Sequence, residues 1–249
     1  MYIFILTFTL VVEVGKKYNK RTLFWMRQFY KLIEAQKLSP MATQLTWFHY
    51  CELLSFNDIN EINYYINTTE KYNLSKRQLK EKIKNKEYQR LDNNTKLKLI
   101  NKEEMSIGDT IKNPIIIKNK LDIDKEDISE KILQRLILED IPSFLDELGE
   151  GYSFIRNEYK IKINNTYNYI DLLLFNYIYN SFVVVELKVT EVRKEHIGQI
   201  EVYMNYIDKH IKSVTNNKTI GIIVARRDNH YYIEYSSDKR IYTRDYEIV

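Results

Sequence analysis

The sequence predicts a mixed α+β protein in two domains. An all-helical, winged-helix-like domain covers residues 13–88, a linker covers 89–127, and an α/β domain covers 128–249, with a central mixed sheet flanked by helices. Three observations carry this. Apolar residues in the first third recur at helical spacing. Those in the second half gather in strand-length runs with a helical stretch on either side. The segment between is polar and rich in Asn, Lys and Asp. A chain of 249 residues is long enough to bury a core in each domain.

In the helical domain, Leu23, Met26, Tyr30 and Ile33 fall on one helix face. Trp47, Phe48 and Tyr50, followed by Leu53 and Leu54, read as a second helix whose aromatic residues belong to the core rather than to a base-stacking platform. Ser75 opens a third helix that carries Leu79 and Ile83 on one side. Short helices joined by turns fit a winged-helix-like or helix-turn-helix module. In the linker only Pro114 to Ile117 is apolar, which predicts one packed extended piece. Residues 1–12 are apolar but lack a basic n-region and a small-residue cleavage site, and they are too short to span a bilayer. No membrane association is expected, and a truncated or mis-assigned start is.

The second domain opens with a helical run from Ser129 to Leu148. Gly149 and Gly151 suit a helix stop and a turn into a strand over 152–163. Strands follow at 169–175 and 182–188, a helix at 195–208, and a final strand pair at 219–225 and 231–235. The hairpin between the second and third strands carries the chemistry. A turn centred between Ile178 and Tyr179 places Asp171 across from Glu186, and the two-residue repeat puts Lys188 on the same face. Two carboxylates and an ammonium on a buried sheet are costly without a partner. A divalent cation resolves that cost. Magnesium takes hard oxygen ligands and keeps several waters, leaving positions for a phosphate oxygen and a nucleophilic water. The alternative is a structural salt bridge at a sheet edge.

These residues, taken together, resemble the PD-(D/E)xK nuclease superfamily, and within it the YhcG-like branch. The resemblance rests on Phe144 to Phe154, Tyr169 to Leu174, Val184 to Lys188, Gly198 and Gln199 with Tyr203, and Thr219 to Ile222. It implies a restriction-endonuclease-like core with Asp171 and Glu186 as metal ligands, Lys188 as catalytic lysine and Glu147 as the acid of the first helix. Gln199 and Tyr203 resemble a helix motif whose residues support the site and touch the nucleic-acid strand, with packing or strand contact rather than chemistry expected of Tyr203. The alternative for Glu147 is an exposed helix-end carboxylate. Arg21 to Tyr30, Leu45 to Tyr50 with Leu53 and Leu54, and Ser75 to Leu79 are similar to the family's N-terminal helical domain. That similarity implies DNA contacts from Arg21, Arg27, Lys76 and Arg77. The implied cofactor is Mg2+, with Mn2+ as an alternative. The implied partner is nucleic acid, DNA first, with room for a homodimer. Members of the family usually carry further helices upstream, and this chain is expected to lack them.

Charge divides along the same line. Residues 1–100 hold 17 Lys or Arg against 9 Asp or Glu, a net of +8, and residues 101–249 hold 21 against 25, a net of −4. A basic domain suits phosphate attraction and an acidic one suits metal collection, although Lys76, Lys80, Lys82, Lys84 and Lys86 also read as a solvated helix face. The single cysteine, Cys51, excludes an intramolecular disulfide and suits a reducing cytoplasm. The four histidines lack zinc-ligand spacing, and no P-loop, dinucleotide fingerprint or nucleophile elbow occurs. The function expected is a metal-dependent nuclease, first of all a DNA endonuclease. The alternatives are a nucleic-acid-binding protein with an inactive core and an RNA-processing nuclease.

Overall fold

A computed structural model describes residues 19–34, 45–227 and 238–249. The chain divides into two compact units, Met1–Gln89 and Arg90–Val249. The apolar stretch at 1–12 and the strand expected at 231–235 lie outside the described residues.

The first unit is helical throughout its described residues: α1 (Lys20–Glu34), α2 (Trp47–Leu53), α3 (Ile59–Tyr72) and α4 (Lys76–Lys84). Side-chain caps fix the helix starts. Asp58 accepts the Asn60 N–H at 2.9 Å, and Ser75 and Gln78 form a reciprocal capping box. Leu53, Ile62, Tyr65 and Leu79 are fully buried, with Phe56 stacked on Tyr65. Phe48 corrects the reading of the aromatic trio. Tyr50 is buried, but Phe48 is 62% exposed, with the Lys76 ammonium 5.3 Å from its ring centroid. Helical periodicity places Phe48 on the face of α2 opposite the core. No strand that could serve as a wing occurs among the described residues of this unit.

The second unit takes in most of the expected linker. Residues 90–127 carry α5 (Asn93–Asn101), α6 (Ile107–Thr110) and β1 (Ile115–Ile117), and the apolar piece at 114–117 becomes an edge strand of the sheet. Next come α7 (Glu130–Glu139), α8 (Ile141–Leu148), β2 (Tyr152–Ile163), β3 (Thr166–Asn176), β4 (Ser181–Glu191), α9 (Lys194–His210), β5 (Ile220–Arg227) and β6 (Ile241–Ile248). The sheet order is β1-β6-β5-β4-β3-β2, parallel from β1 to β4 and antiparallel from β4 to β2. The mixed sheet and flanking helices are as expected.

Two clusters sandwich the sheet. Leu133, Leu136 and Ile137 of α7 and Phe144 and Leu148 of α8 pack on Leu172, Leu174, Val183, Val185 and Leu187. Ile197, Ile200, Met204 and Ile207 of α9 pack on the other face, against Leu173, Val184, Ile223 and Ala225. Each such side chain contributes about 1.5–3 kcal/mol on burial, before the chain entropy that opposes it. β4 is covered on both faces over most of its length, so Glu186 and Lys188 sit in the middle of the domain.

The expected single helix over 129–148 breaks at Asp140, where φ is −144° and ψ is 54°. The Asp140 carboxylate accepts the Ser143 N–H, and Pro142 occupies the first turn of the new helix, where its missing N–H costs nothing. Gly149 (φ 108°) and Gly151 (φ 82°) then reverse the chain into β2 in a conformation that side chains with a Cβ rarely adopt. No described helix is long and apolar enough to cross a membrane.

Candidate metal centre

Asn176 sets the geometry. Its side-chain oxygen accepts the N–H groups of Ile178 (3.0 Å) and Tyr179 (3.1 Å), and its amide donates to the Glu150 carbonyl (2.8 Å). The tight turn that results pairs Asn176 with Ser181 and continues to Leu172 opposite Val185. The next step of that register brings Asp171 to Glu186. The main-chain ladder ends there, because the Asp171 carboxylate takes the Leu187 N–H at 2.8 Å. Ile170 and Leu173, three residues apart, share one core cluster while Leu172 belongs to the other, so the pleat is also broken here. The strands part where the acids meet.

Glu186 is almost wholly buried. Its Oε1 accepts from Lys188 Nζ at 3.0 Å and from Gln199 Nε2 at 2.8 Å, while Oε2 is buried without a hydrogen-bond partner. Gln199 also donates to the Tyr203 hydroxyl at 3.0 Å, four residues on along α9. On the opposite side α7 contributes two groups. Gln134 Nε2 holds the Asp171 carbonyl at 3.0 Å, and Glu130 Oε2 lies 3.5 Å from Lys188 Nζ.

Burial, and then the charge of Asp171, push the Glu186 carboxyl up to about 7 against the pull of Lys188. Burial also raises Asp171, although the Leu187 N–H and Lys188 oppose it. Burial works against the Lys188 ammonium, but Glu186 outweighs it and its pKa rises, so Lys188 stays charged. The donor set fits a magnesium-like ion. Two adjacent hard oxygen acids, one with a buried lone oxygen, match a cation that is held by one or two carboxylates and keeps its remaining positions for water and phosphate. Among the described residues no group of three or more His, Cys, Asp or Glu side chains forms a closed metal cage.

A prediction follows from the raised carboxyl. Its folded pKa of about 7 lies above the ordinary 4.5, so the stability it confers is present below about 4.5 and lost as pH rises through about 7. Metal-free Glu186→Gln protein should therefore exceed the parent in stability at pH 8 by roughly 1–3 kcal/mol. The advantage should vanish by pH 4.5. Urea unfolding at the two pH values checks this, and a gain that does not change with pH would contradict it.

Glu147 is not with Asp171 and Glu186. Its carboxylate is buried in a bidentate pair with Arg90, through Nη1 and through Nη2 at 3.0 Å, and accepts the Ile116 N–H at 2.9 Å, with Lys112 Nζ 3.8 Å away. The break at Asp140 explains this, because it sends α8 and Glu147 off toward β1. Tyr203 is only 5% exposed, and its hydroxyl accepts from Gln199, so its side chain is packed beneath Gln199, the first of the two roles expected of it. Lys76 is tied to Glu52 at 3.4 Å. Arg21 and Arg27 on α1 and Arg77 on α4 are exposed. The acid missed in the sequence is Glu130. Its signal was present, since Ser129 caps α7 by accepting the Ile132 N–H and so puts Glu130 in the first turn of the helix that leads into the hairpin.

Residues 108–248 match the model of the YhcG PDDEXK nuclease domain, and residues 2–90 match that of the DUF1016 N-terminal domain. The protein named "Putative nuclease YhcG" of Escherichia coli (strain K12) is 26% identical over 196 residues, which cover 76% of this chain and 52% of that protein. The chain thus spans about half the length of the curated relative it matches. Among solved structures, a repair endonuclease from Pyrococcus abyssi aligns over 49% of each chain at 18% identity and a TM-score of 0.35. An EndoMS–dsDNA complex aligns over 49% of this chain and 48% of that one at 19% identity and a TM-score of 0.36. With the parted β3–β4 hairpin lying inside the matched span, and that span covering more than half of the sequence, the chain belongs to the YhcG PDDEXK nuclease domain family.

Proposed function

We propose that this protein is a magnesium-dependent endonuclease that hydrolyses phosphodiester bonds of DNA. The observation that supports this best is the buried Glu186 Oε2 without a partner, beside Asp171 and within a shell that fixes everything else about Glu186. Asp171 and Glu186 would hold the cation, which supplies charge neutralisation at the scissile phosphate and an acidified water. Manganese offers the same hard-ligand chemistry. Lys188, kept protonated by its acids, presents an ammonium to negative charge that grows on the phosphate. Gln199 holds the Glu186 carboxylate in one orientation, and Tyr203 holds Gln199. A free Cys51 and no described membrane helix agree with action in the cytoplasm.

Incubation of the purified protein with duplex, branched and single-stranded DNA and with RNA, each with and without Mg2+, tests the proposal. Magnesium-dependent cutting of DNA is the expected result. Failure to cut any substrate at any metal concentration would leave a binding protein with an inactive core.

The basic first unit is assigned the nonspecific affinity. Each phosphate contact by a cation contributes about 0.9 to the slope of log affinity against log salt on duplex DNA. Arg21→Ala, Arg27→Ala and Arg77→Ala combined should flatten that slope by up to about 2.7. An unchanged slope would make these cations a solvated face, and the unit a module for a protein partner or for dimerisation.

A further inference from the structure

Beyond the acids, β2 and β3 run on as a two-stranded ribbon. β3 pairs with β4 only over Leu172 to Asn176, whereas its pairing with β2 continues to Thr166 opposite Ile163, around a turn at Asn164 (φ 54°) and Asn165. The two faces of this ribbon differ. Ile161 and Ile170 are buried in the cluster beneath α9, with Tyr159 and Ile163 packed against it. The other face carries two cross-strand pairs, Lys160 opposite Tyr169 and Lys162 opposite Tyr167, all four exposed. Lys160 Nζ stands 3.7 Å above the Tyr167 ring centroid and Lys162 Nζ 5.9 Å from it, and both rings are more than half exposed. Tyr169 stands two residues before Asp171 in β3, so the aromatic pair ends about 7 Å along the strand from a proposed metal ligand.

Tyrosine is common in strands, but here two exposed rings stand together with two ammonium groups on one sheet face. Lysines there attract phosphates. The flat rings offer stacking surfaces, and only a base outside a duplex can present its face to them, because paired bases show only their edges in the grooves. We infer that this face of the β2–β3 ribbon is the track for unpaired nucleotides of the DNA strand being cut, with Lys160 and Lys162 on phosphates and Tyr167 and Tyr169 stacked on bases. The inference rests on the nuclease reading above and adds to it a substrate class, DNA with a single-stranded segment beside the scissile bond. The inner-face packing fixes the ribbon, so the outer face is free to serve the strand.

The test uses the full chain carrying Glu186→Gln, without metal, and fluorescence anisotropy with a labelled single-stranded oligothymidylate and a duplex of equal length. Lys160→Gln with Lys162→Gln should weaken single-strand binding at least tenfold and flatten its salt slope by about 1.4, at about 0.7 per contact. Tyr167→Ala with Tyr169→Ala should weaken single-strand binding by a similar factor with the slope unchanged, and should erase the preference for single strand over duplex. Phenylalanine at both positions should restore that preference. Should the alanine pair fail to fold by circular dichroism, the glutamine pair and the phenylalanine pair still decide. Unchanged affinity for the single strand in the glutamine pair, or equal losses on both probes, would overturn the inference. If the chain with native Glu186 cuts nothing while these variants still lose single-strand affinity, the nuclease reading fails and the track stands.

Discussion

Replacing Glu186 with alanine is expected to lower magnesium-dependent cleavage by a factor of about 10²–10³ or more while leaving DNA affinity nearly intact. The side chain lies beneath the surface, so its loss removes little that a strand could touch. It does remove one of two acids proposed for the cation, and the acceptor shared by Lys188 and Gln199. Lys188→Ala should cost a comparable factor by a different route. The proposed ligands remain, but the ammonium proposed to face the phosphate is gone. Calorimetric titration with Mg2+ separates the two, with weakened binding in the Glu186 variant and undiminished binding in the Lys188 variant. Full cleavage by both proteins would place the activity elsewhere in the chain or in a contaminant.

The part of the centre built by one hairpin could be read from sequence. A turn length and a two-residue repeat are local rules, and they place Asp171 across from Glu186 through the register Leu172 opposite Val185. The helical spacing of Gln199 and Tyr203 is equally local, and their hydrogen bond follows from it. Residues that reach the centre from other elements were not legible in this way. Glu130 and Glu147 are both acids of the helical stretch before the hairpin, and which one arrives depends on the break at Asp140. The Asp-x-Pro pattern of Asp140 and Pro142 announced that break but was masked by apolar periodicity that runs through it. β6 was hidden for a related reason. Its parallel partner β1 lies far away in sequence, and Arg244, Asp245 and Glu247 dilute its apolar pattern.

Glu147→Ala should destabilise the protein by about 3–5 kcal/mol, the range for removing one partner of a buried ion pair. The Arg90 guanidinium is itself buried, and in the variant it would keep the Pro114 carbonyl while losing both oxygens of its carboxylate. The Ile116 N–H, which belongs to edge strand β1, would lose its acceptor as well. Arg90→Ala should cost somewhat less, because Lys112 still lies 3.8 Å from the Glu147 carboxylate. The double variant should fall well short of the sum, since with both charges gone neither is left uncompensated. Chemical denaturation of the four proteins gives that coupling directly. Cleavage per folded molecule should stay within a few fold of the parent in all of them, because no hydrogen bond joins Glu147 to Asp171, Glu186 or Lys188 among the described residues. A Glu147 variant that keeps its stability and loses its cleavage would reverse the assignment. It would show that the α8 acid swings into the centre when substrate and metal bind, and that its pairing with Arg90 is a resting position.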